Sequence, residues 1–302
     1  MQHSSMHLTL RQLQIFSQAA SRSSLTRAAE DLHLSQPAVS MQVKQLEDAV
    51  GMPLFDRSGK GLQLTEAGRE LYRYSKEISA KVDEVVQVMD ELKGLHRGAL
   101  SIAVATTVSQ YAIQAVAGFH KRYPGIRVSL DVTNRKSLLN QLDQNDADII
   151  LMGFPPKKRQ FESIPFMDNP LVVIAAADHP LRRRKAINLA QITGETFLLR
   201  ETGSGTRQAI ERFMRHKKVS LSNTLFMSSN EAIKQAVGAG MGVAIVSRHT
   251  IALELKAGSL AELPVRGFPL LRQWYIVRPL SKRYSVAARA FSDFILSGEV
   301  EF

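Results

Sequence analysis

The chain has 302 residues, 44% hydrophobic and 22% charged, with a net charge of +11 and no cysteine. That length allows two or three domains with proper cores, and the lack of thiols excludes disulfides and thiolate chemistry. No apolar run is long enough to span a bilayer, and the opening MQHSSMHLTLRQL lacks the basic start and apolar core of an export signal, so a cytoplasmic protein with no membrane partner is expected, whether it starts at Met1 or Met6.

The first informative elements are two short helices joined by a tight turn. Leu25, Ala28, Ala29 and Leu32 recur at helical spacing, the turn falls at His33-Leu34, and Ser35 caps a second helix with Pro37 in its first turn. Ala38, Val39, Val43 and Leu46 face inward on that helix, which leaves Gln36, Ser40, Gln42, Lys44 and Gln45 outward. Amides and hydroxyls both donate and accept, which suits base-edge readout in the DNA major groove; the plainer alternative is a helical hairpin with a solvated face. Pro53 to Leu64 then reads as a two-stranded wing with a glycine-rich tip, where Arg57 and Lys60 would meet phosphates or the minor groove. Thr65 caps the next helix.

From Thr65 to about Gly94 no proline intervenes, and Ala67, Leu71, Tyr74, Ile78, Val82, Val85, Met89 and Leu92 follow at steps of three or four. This predicts a helix about 45 Å long with a narrow apolar seam. A rod of that kind does not bury its seam alone, so it is read as a dimerising linker; packing onto its own domain is the alternative.

Beyond Gly98 strands alternate with helices: 99–105, a helix through Phe119, 126–132, a helix from Ser137 to Gln144, and 147–152. This order predicts a parallel sheet with ligands at the strand carboxyl ends. Pro165 to Ala176 reads as a strand crossing into a second lobe, and Phe268 to Val277 as the return. Two crossings make a hinged, bilobed domain with a cleft, like the periplasmic solute-binding proteins. Arg200 to Arg207, RETGSGTR, leads into a helix from Gln208 to Met214; Gly203, Ser204, Gly205 and Thr206 offer backbone and hydroxyl donors, with Arg200 and Arg207 adding charge. A structural glycine turn is the alternative. Thr106, Thr107, Asn134, Arg135 and Ser137 would face this loop, and Asn230 closes the cleft from the second lobe, although it or Ser229 reads first as a helix cap.

The charge is unevenly spread. Of the 39 Lys and Arg, 11 fall within residues 1–95, against 12 of the 28 Asp and Glu, a net of −1 there and +12 in the rest. An anionic ligand of the second half, DNA wrapped onto it, or a surface tuned for solubility each explain this. The eight histidines show no metal-ligand spacing, and there is no nucleophile elbow, so neither a metal site nor an enzyme is expected. A solute-binding transport protein would explain the second half but leave residues 8–68 without a purpose.

The run from Leu8 to Gly68, with Leu10-Arg11-Gln12-Leu13, Phe16, Ser24 to Glu47, Gly51 to Arg57 and Leu64 to Gly68, resembles the winged helix-turn-helix of the LysR-type transcriptional regulators. The resemblance implies that Gln36, Pro37 and Ser40 approach base edges, while Ser24, Thr26, Ser35, Lys44, Arg57 and Lys60 mostly hold the DNA backbone. The second half, with Asn134-Arg135, Asp148 to Gly153, Pro155-Pro156, Asn169 to Val172, Gly203 to Arg207 and Ser228 to Val237, is similar to the Calvin-cycle regulators of that family, which control ribulose bisphosphate carboxylase operons. It implies an operon activator responding to a phosphorylated sugar, phosphoenolpyruvate or NADPH, with no resident cofactor, and makes Arg135 and Arg272 phosphate ligands. It also implies a homodimer or homotetramer on promoter DNA, in contact with RNA polymerase.

The expected architecture is a multidomain chain: an all-α winged helix-turn-helix (1–64) plus a long linker helix (65–95), then an α/β bilobed effector-binding domain (96–302). Lobe I comprises about 96–168 and 269–302, and lobe II about 169–268.

Overall fold

A computed structural model of the chain describes residues 7–56, 62–92, 98–156 and 160–300. It divides into two units, Met1–Val88 and Met89–Phe302.

In the first unit Thr9 and Gln12 form a capping box at the start of α1 (Leu10–Arg22), each satisfying an N–H that the first turn leaves unpaired. α2 (Leu25–Leu32) is capped by Ser24 and ends at His33, which is left-handed at φ 53°. α3 (Gln36–Val50) begins at Ser35, whose hydroxyl accepts from the Ala38 N–H, and stops at Gly51. The two-residue strands β1 (Phe55–Asp56) and β2 (Gln63–Leu64) pair antiparallel, and α4 (Glu66–Leu92) follows. Phe16, Ala28, Val39, Val43, Leu46, Leu54 and Phe55 share one core, with the Phe16 and Phe55 rings 5.3 Å apart. Ala38, expected inside, is only half-buried.

The link from α3 to α4 is tightly tied. Glu47 accepts from the N–H groups of Leu54 (2.8 Å) and Phe55 (3.2 Å). The Thr65 hydroxyl donates to the Pro53 carbonyl and accepts from the Gly68 N–H, and the Thr65 N–H donates to the Leu54 carbonyl. Of the α4 seam, Leu71 is half-buried while Tyr74, Ile78, Val85 and Met89 are exposed within this chain.

The second unit holds two five-stranded sheets. In lobe I the strands are β3 (Gly98–Ala105), β4 (Ile126–Thr133), β5 (Ile149–Met152), β6 (Phe161–Asp168) and, from the end of the chain, β12 (Gln273–Pro279), ordered β4-β3-β5-β12-β6. β3 runs parallel to both β4 and β5, and β12 antiparallel to β5 and β6. One face is covered by α5 (Ser109–Arg122) and α10 (Val286–Leu296), through Phe119, Phe291 and Ile295. The other is covered by α6 (Arg135–Gln144), through Leu138 and Leu142. In lobe II the strands are β7 (Leu171–Ala176), β8 (Thr196–Arg200), β9 (Asn223–Met227), β10 (Val243–Ser247) and β11 (Leu260–Leu263), ordered β11-β7-β10-β8-β9. Here α7 (Gly205–His216) covers one face and α8 (Asn230–Gly238) the other, with the short α9 (Ala252–Ala257) beside α8's face. Every residue of β5, β7 and β10 is buried, as strands covered on both faces require.

The segment read as one strand from Pro165 to Ala176 is two, β6 and β7. Asn169-Pro170 breaks it, because Pro170 has no N–H for a ladder. The chain changes lobes at this break. It returns alongside: the Asn169 N–H donates to the Arg272 carbonyl at 2.7 Å, and Leu171 and Leu270 exchange two backbone bonds. The two crossings lie side by side.

Candidate functional site

The exposed face of α3 carries the first site. Gln36, Pro37, Lys44 and Gln45 are exposed and Ser40 and Gln42 half-exposed, because Val39, Val43 and Leu46 hold the opposite face in the core. Thr26 is exposed on α2, whereas Ser24 and Ser35 use their hydroxyls to cap α2 and α3, accepting from the Arg27 and Ala38 N–H groups. Met41, exposed on the same side of α3, was not singled out from the sequence. The expected wing contacts Arg57 and Lys60 lie outside the described residues.

The second site is the cleft between lobes I and II. Strand ends from both sheets line it: Thr106 and Thr107 after β3, Asn134 and Arg135 opening α6, and Gly153 and Phe154 after β5. Lobe II contributes Arg200, Ser204, Gly205 and Thr206, and the crossings contribute Asn169 and Arg272. Two helix N-termini, of α6 and α7, point into one cavity of about 30 Å³, which leaves room for one or two waters. Converging N–H groups, hydroxyls and guanidinium groups favour an anion. The loop glycines also serve packing. Gly203 is left-handed at φ +99°, and a Cβ there would lie 3.2 Å from the Lys136 Cβ across the cleft.

Four of the expected contacts lie off the cavity wall. Arg207 turns away because its guanidinium is paired with Glu211 (2.7 Å) and stacked over Phe226. Ser137 contributes only its N–H, which donates to the capping Asn134 side chain. Gly203 shapes the turn before Ser204. Asn230 accepts from Arg200.

Arg200 itself is 3% exposed and fully engaged. It pairs through two bonds with Glu201 (2.7 and 3.1 Å), donates to the Ser228 carbonyl and to Asn230, and reaches across to the Thr106 hydroxyl of lobe I at 3.1 Å. It is a strap between lobes as much as a wall of the cavity.

Sequence reasoning missed Phe154, Asn169 and Arg212. Phe154 follows a strand that the sequence did identify, at the carboxyl end where ligands sit. Arg212 lies seven residues after Gly205, two helical turns along α7, so helical spacing alone would have brought it to that face. The Arg135, Arg212 and Arg272 guanidinium groups all stack on the Phe154 ring. Burial and the neighbouring Arg212 charge hold both Arg135 and Arg272 below the ordinary arginine range.

A helix-turn-helix with an exposed polar face, and a donor-lined cleft between two lobes, are the parts of a ligand-responsive DNA-binding regulator. The comparisons agree. Residues 10–69 match the bacterial regulatory helix-turn-helix model of the lysR family, and residues 93–299 match the LysR substrate binding domain. A RuBisCO operon transcriptional regulator of Allochromatium vinosum is 53% identical over 292 residues, covering 97% of both chains. The Synechocystis PCC6803 CcmR regulatory domain, solved in complex with 2-PG, is 36% identical with a TM-score of 0.63, covering 67% of this chain and 97% of that one. A full-length OxyR variant from Pseudomonas aeruginosa matches 96% of this chain and 95% of its own at a TM-score of 0.74 and 23% identity, a likeness of fold. The chain belongs to the LysR family of transcriptional regulators.

Proposed function

We propose that the protein activates a ribulose bisphosphate carboxylase operon in response to a small phosphorylated metabolite bound between the lobes. The observation carrying this is the cavity itself, where two helix N-termini, the buried Arg200 and the half-buried Arg135 and Arg272 converge with no carboxylate on the wall. The printed functions of the relatives support the operon: the Allochromatium protein is a RuBisCO operon regulator, as is an Acidithiobacillus ferrooxidans protein 42% identical over 295 residues. The 2-PG bound by the Synechocystis domain supports a phosphorylated ligand, and phosphorylated sugars, phosphoenolpyruvate and NADPH are the other candidates. No resident cofactor is invoked.

The double crossing supports a hinge of the periplasmic-binding-protein kind, with residues 1–64 as DNA reader, 65–95 as linker and 96–302 as receptor. The exposed row Tyr74, Ile78, Val85 and Met89 supports pairing of two α4 helices, which would set two reading heads on two half-sites. A homotetramer in the cytoplasm, in contact with RNA polymerase at the promoter, completes the reading. A ligand that favours one lobe arrangement shifts the equilibrium by its differential affinity, and the DNA bend shifts with it.

Titration of the full chain against promoter fragments with and without 2-phosphoglycolate tests this; a complex indifferent to sequence would end it. Gln36→Ala or Ser40→Ala is expected to cost about 1–3 kcal/mol on the cognate site and little on unrelated duplex, so that base preference relaxes. Equal losses on both duplexes would show that these side chains hold only the backbone.

A further inference from the structure

Three segments of lobe II bring exposed cations together away from the cleft. Arg183, Arg184 and Lys185 lie between β7 and β8, Arg215 and Lys217 close α7, and Arg266 follows β11. Backbone bonds join the first segment to the last: the Ile187 N–H donates to the Pro264 carbonyl (2.9 Å) and the Arg266 N–H to the Ile187 carbonyl (2.8 Å). α7 joins them through Phe213, whose ring lies 5.1 Å from that of Phe268 and 5.9 Å from the Lys217 ammonium. Ile187, Val265, Phe213 and Phe268 share one core cluster, so the cations flanking them stand on one side of the lobe. All six are exposed, and none lines the cleft.

This charge is not balanced locally. Residues 178–218 hold ten Lys and Arg against four Asp and Glu. Of the four acids, Glu201 is paired with Arg200, Glu211 with Arg207, and Glu195 lies 3.7 Å from His179, which leaves Asp178. Among the described residues none of the six cations pairs with a carboxylate. A surface tuned only for solubility intersperses the two signs, whereas a one-signed patch draws a polyanion. The chain belongs to a DNA-binding family, yet residues 1–95 carry a net charge of −1 against +12 in the rest. The sequence-independent pull on phosphates, which supplies most of the affinity for any duplex, therefore has little source in the reading unit. Four of the six cations are arginines, whose planar fork meets two phosphate oxygens at once.

We infer that this side of lobe II is a second DNA contact, which holds the phosphate backbone of the duplex beside the half-sites and reads no base. The reading helices select the site, and the lobe II cations grip DNA next to it. Each phosphate held releases a condensed counterion, so the contact strengthens binding to any flanking sequence and steepens its salt dependence. The inference depends neither on the ligand of the cleft nor on the operon controlled.

The test compares the full chain with the variant R183Q/R184Q/K185Q/R266Q on two duplexes: the promoter fragment that a footprint defines, and a duplex of about 20 base pairs holding one half-site. Affinity is measured by fluorescence anisotropy over a series of potassium chloride concentrations. On the promoter fragment the variant is expected to bind about ten- to a hundredfold more weakly at low salt, with a log–log salt slope shallower by about three to four, close to one unit for each cation removed. On the short duplex its affinity should stay within about twofold of wild type and its slope should not change. Its melting temperature should match or exceed that of wild type, since exposed like charges are removed. The variant R215Q/K217Q, on a different segment, should lower the promoter slope by about half as much. A promoter slope unchanged in both variants marks the patch as a solvated or protein-facing surface and overturns the inference. Equal losses on the two duplexes overturn it as well, because the cations then act on the reading unit and not on neighbouring DNA.

Discussion

Arg200→Leu is expected to lower the stability of the second unit by about 3–5 kcal/mol, the usual cost of breaking a buried charged pair from one side. The leucine leaves Glu201, Asn230, the Ser228 carbonyl and the Thr106 hydroxyl without the donor that now serves all four. For a unit of about 200 residues this is a fall of roughly 10 °C in melting temperature. Arg200→Lys should recover only part of it, because an ammonium cannot present the planar fork that meets Glu201 through two bonds. The loss has a functional side as well. The bond from Arg200 to Thr106 is a direct polar tie between the lobes, so the variant should also bind 2-phosphoglycolate more weakly, even at temperatures where it remains folded. A thermal melt with a calorimetric titration separates the two effects; a melt unchanged from wild type would show that the network is dispensable.

Gly68→Ala is expected to be nearly as damaging to the first unit. A Cβ at Gly68 would sit 2.0 Å from the Leu54 carbonyl oxygen, and that backbone cannot retreat. Leu54 is held from both sides, by Glu47 on α3 and by the Thr65 N–H at the head of α4. Overlap of this kind forces a helix to shift, and a cost of about 2–4 kcal/mol follows. DNA affinity should fall with it, since the segment that must move connects α3 to α4. Gly51→Ala is the useful comparison. Gly51 has φ +74° and open space around it, so alanine there meets only left-handed strain, about 1–2 kcal/mol. Urea unfolding of both variants decides: a G68A protein as stable as G51A would mean that the Leu54 segment yields.

The helix-turn-helix was legible in the sequence because its signals are local. Ser24 and Ser35 sit where a cap must sit, Pro37 is tolerated only in a first turn, and Val39, Val43 and Leu46 repeat at helical spacing. The alternation of strands with α5 and α6 was legible for the same reason. The break between β6 and β7 was half visible: Asn169-Pro170 was seen as the crossing, but the ladder it interrupts needs to know which strand is the neighbour. The cleft was legible only as a set of strand ends. Thr106, Thr107, Asn134, Arg135 and the Ser204-to-Thr206 turn do meet across it. Spacing could not tell that Arg207 would find Glu211 one turn along its own helix, or that Arg200 would be consumed by Glu201 and its neighbours. It could not tell either that Arg212 would meet Arg135 and Arg272 over Phe154, since that meeting depends on how the two lobes face each other.

An anion entering this cleft is expected to change how the regulator sits on DNA. The most direct measurement is a footprint of the full chain on the promoter it recognises, taken with and without saturating 2-phosphoglycolate or ribulose 1,5-bisphosphate. A protected length or bend that changes with at least one of them, and fails to change when Arg135 and Arg272 are replaced by alanine, is the expected result. Identical footprints under every condition would contradict it.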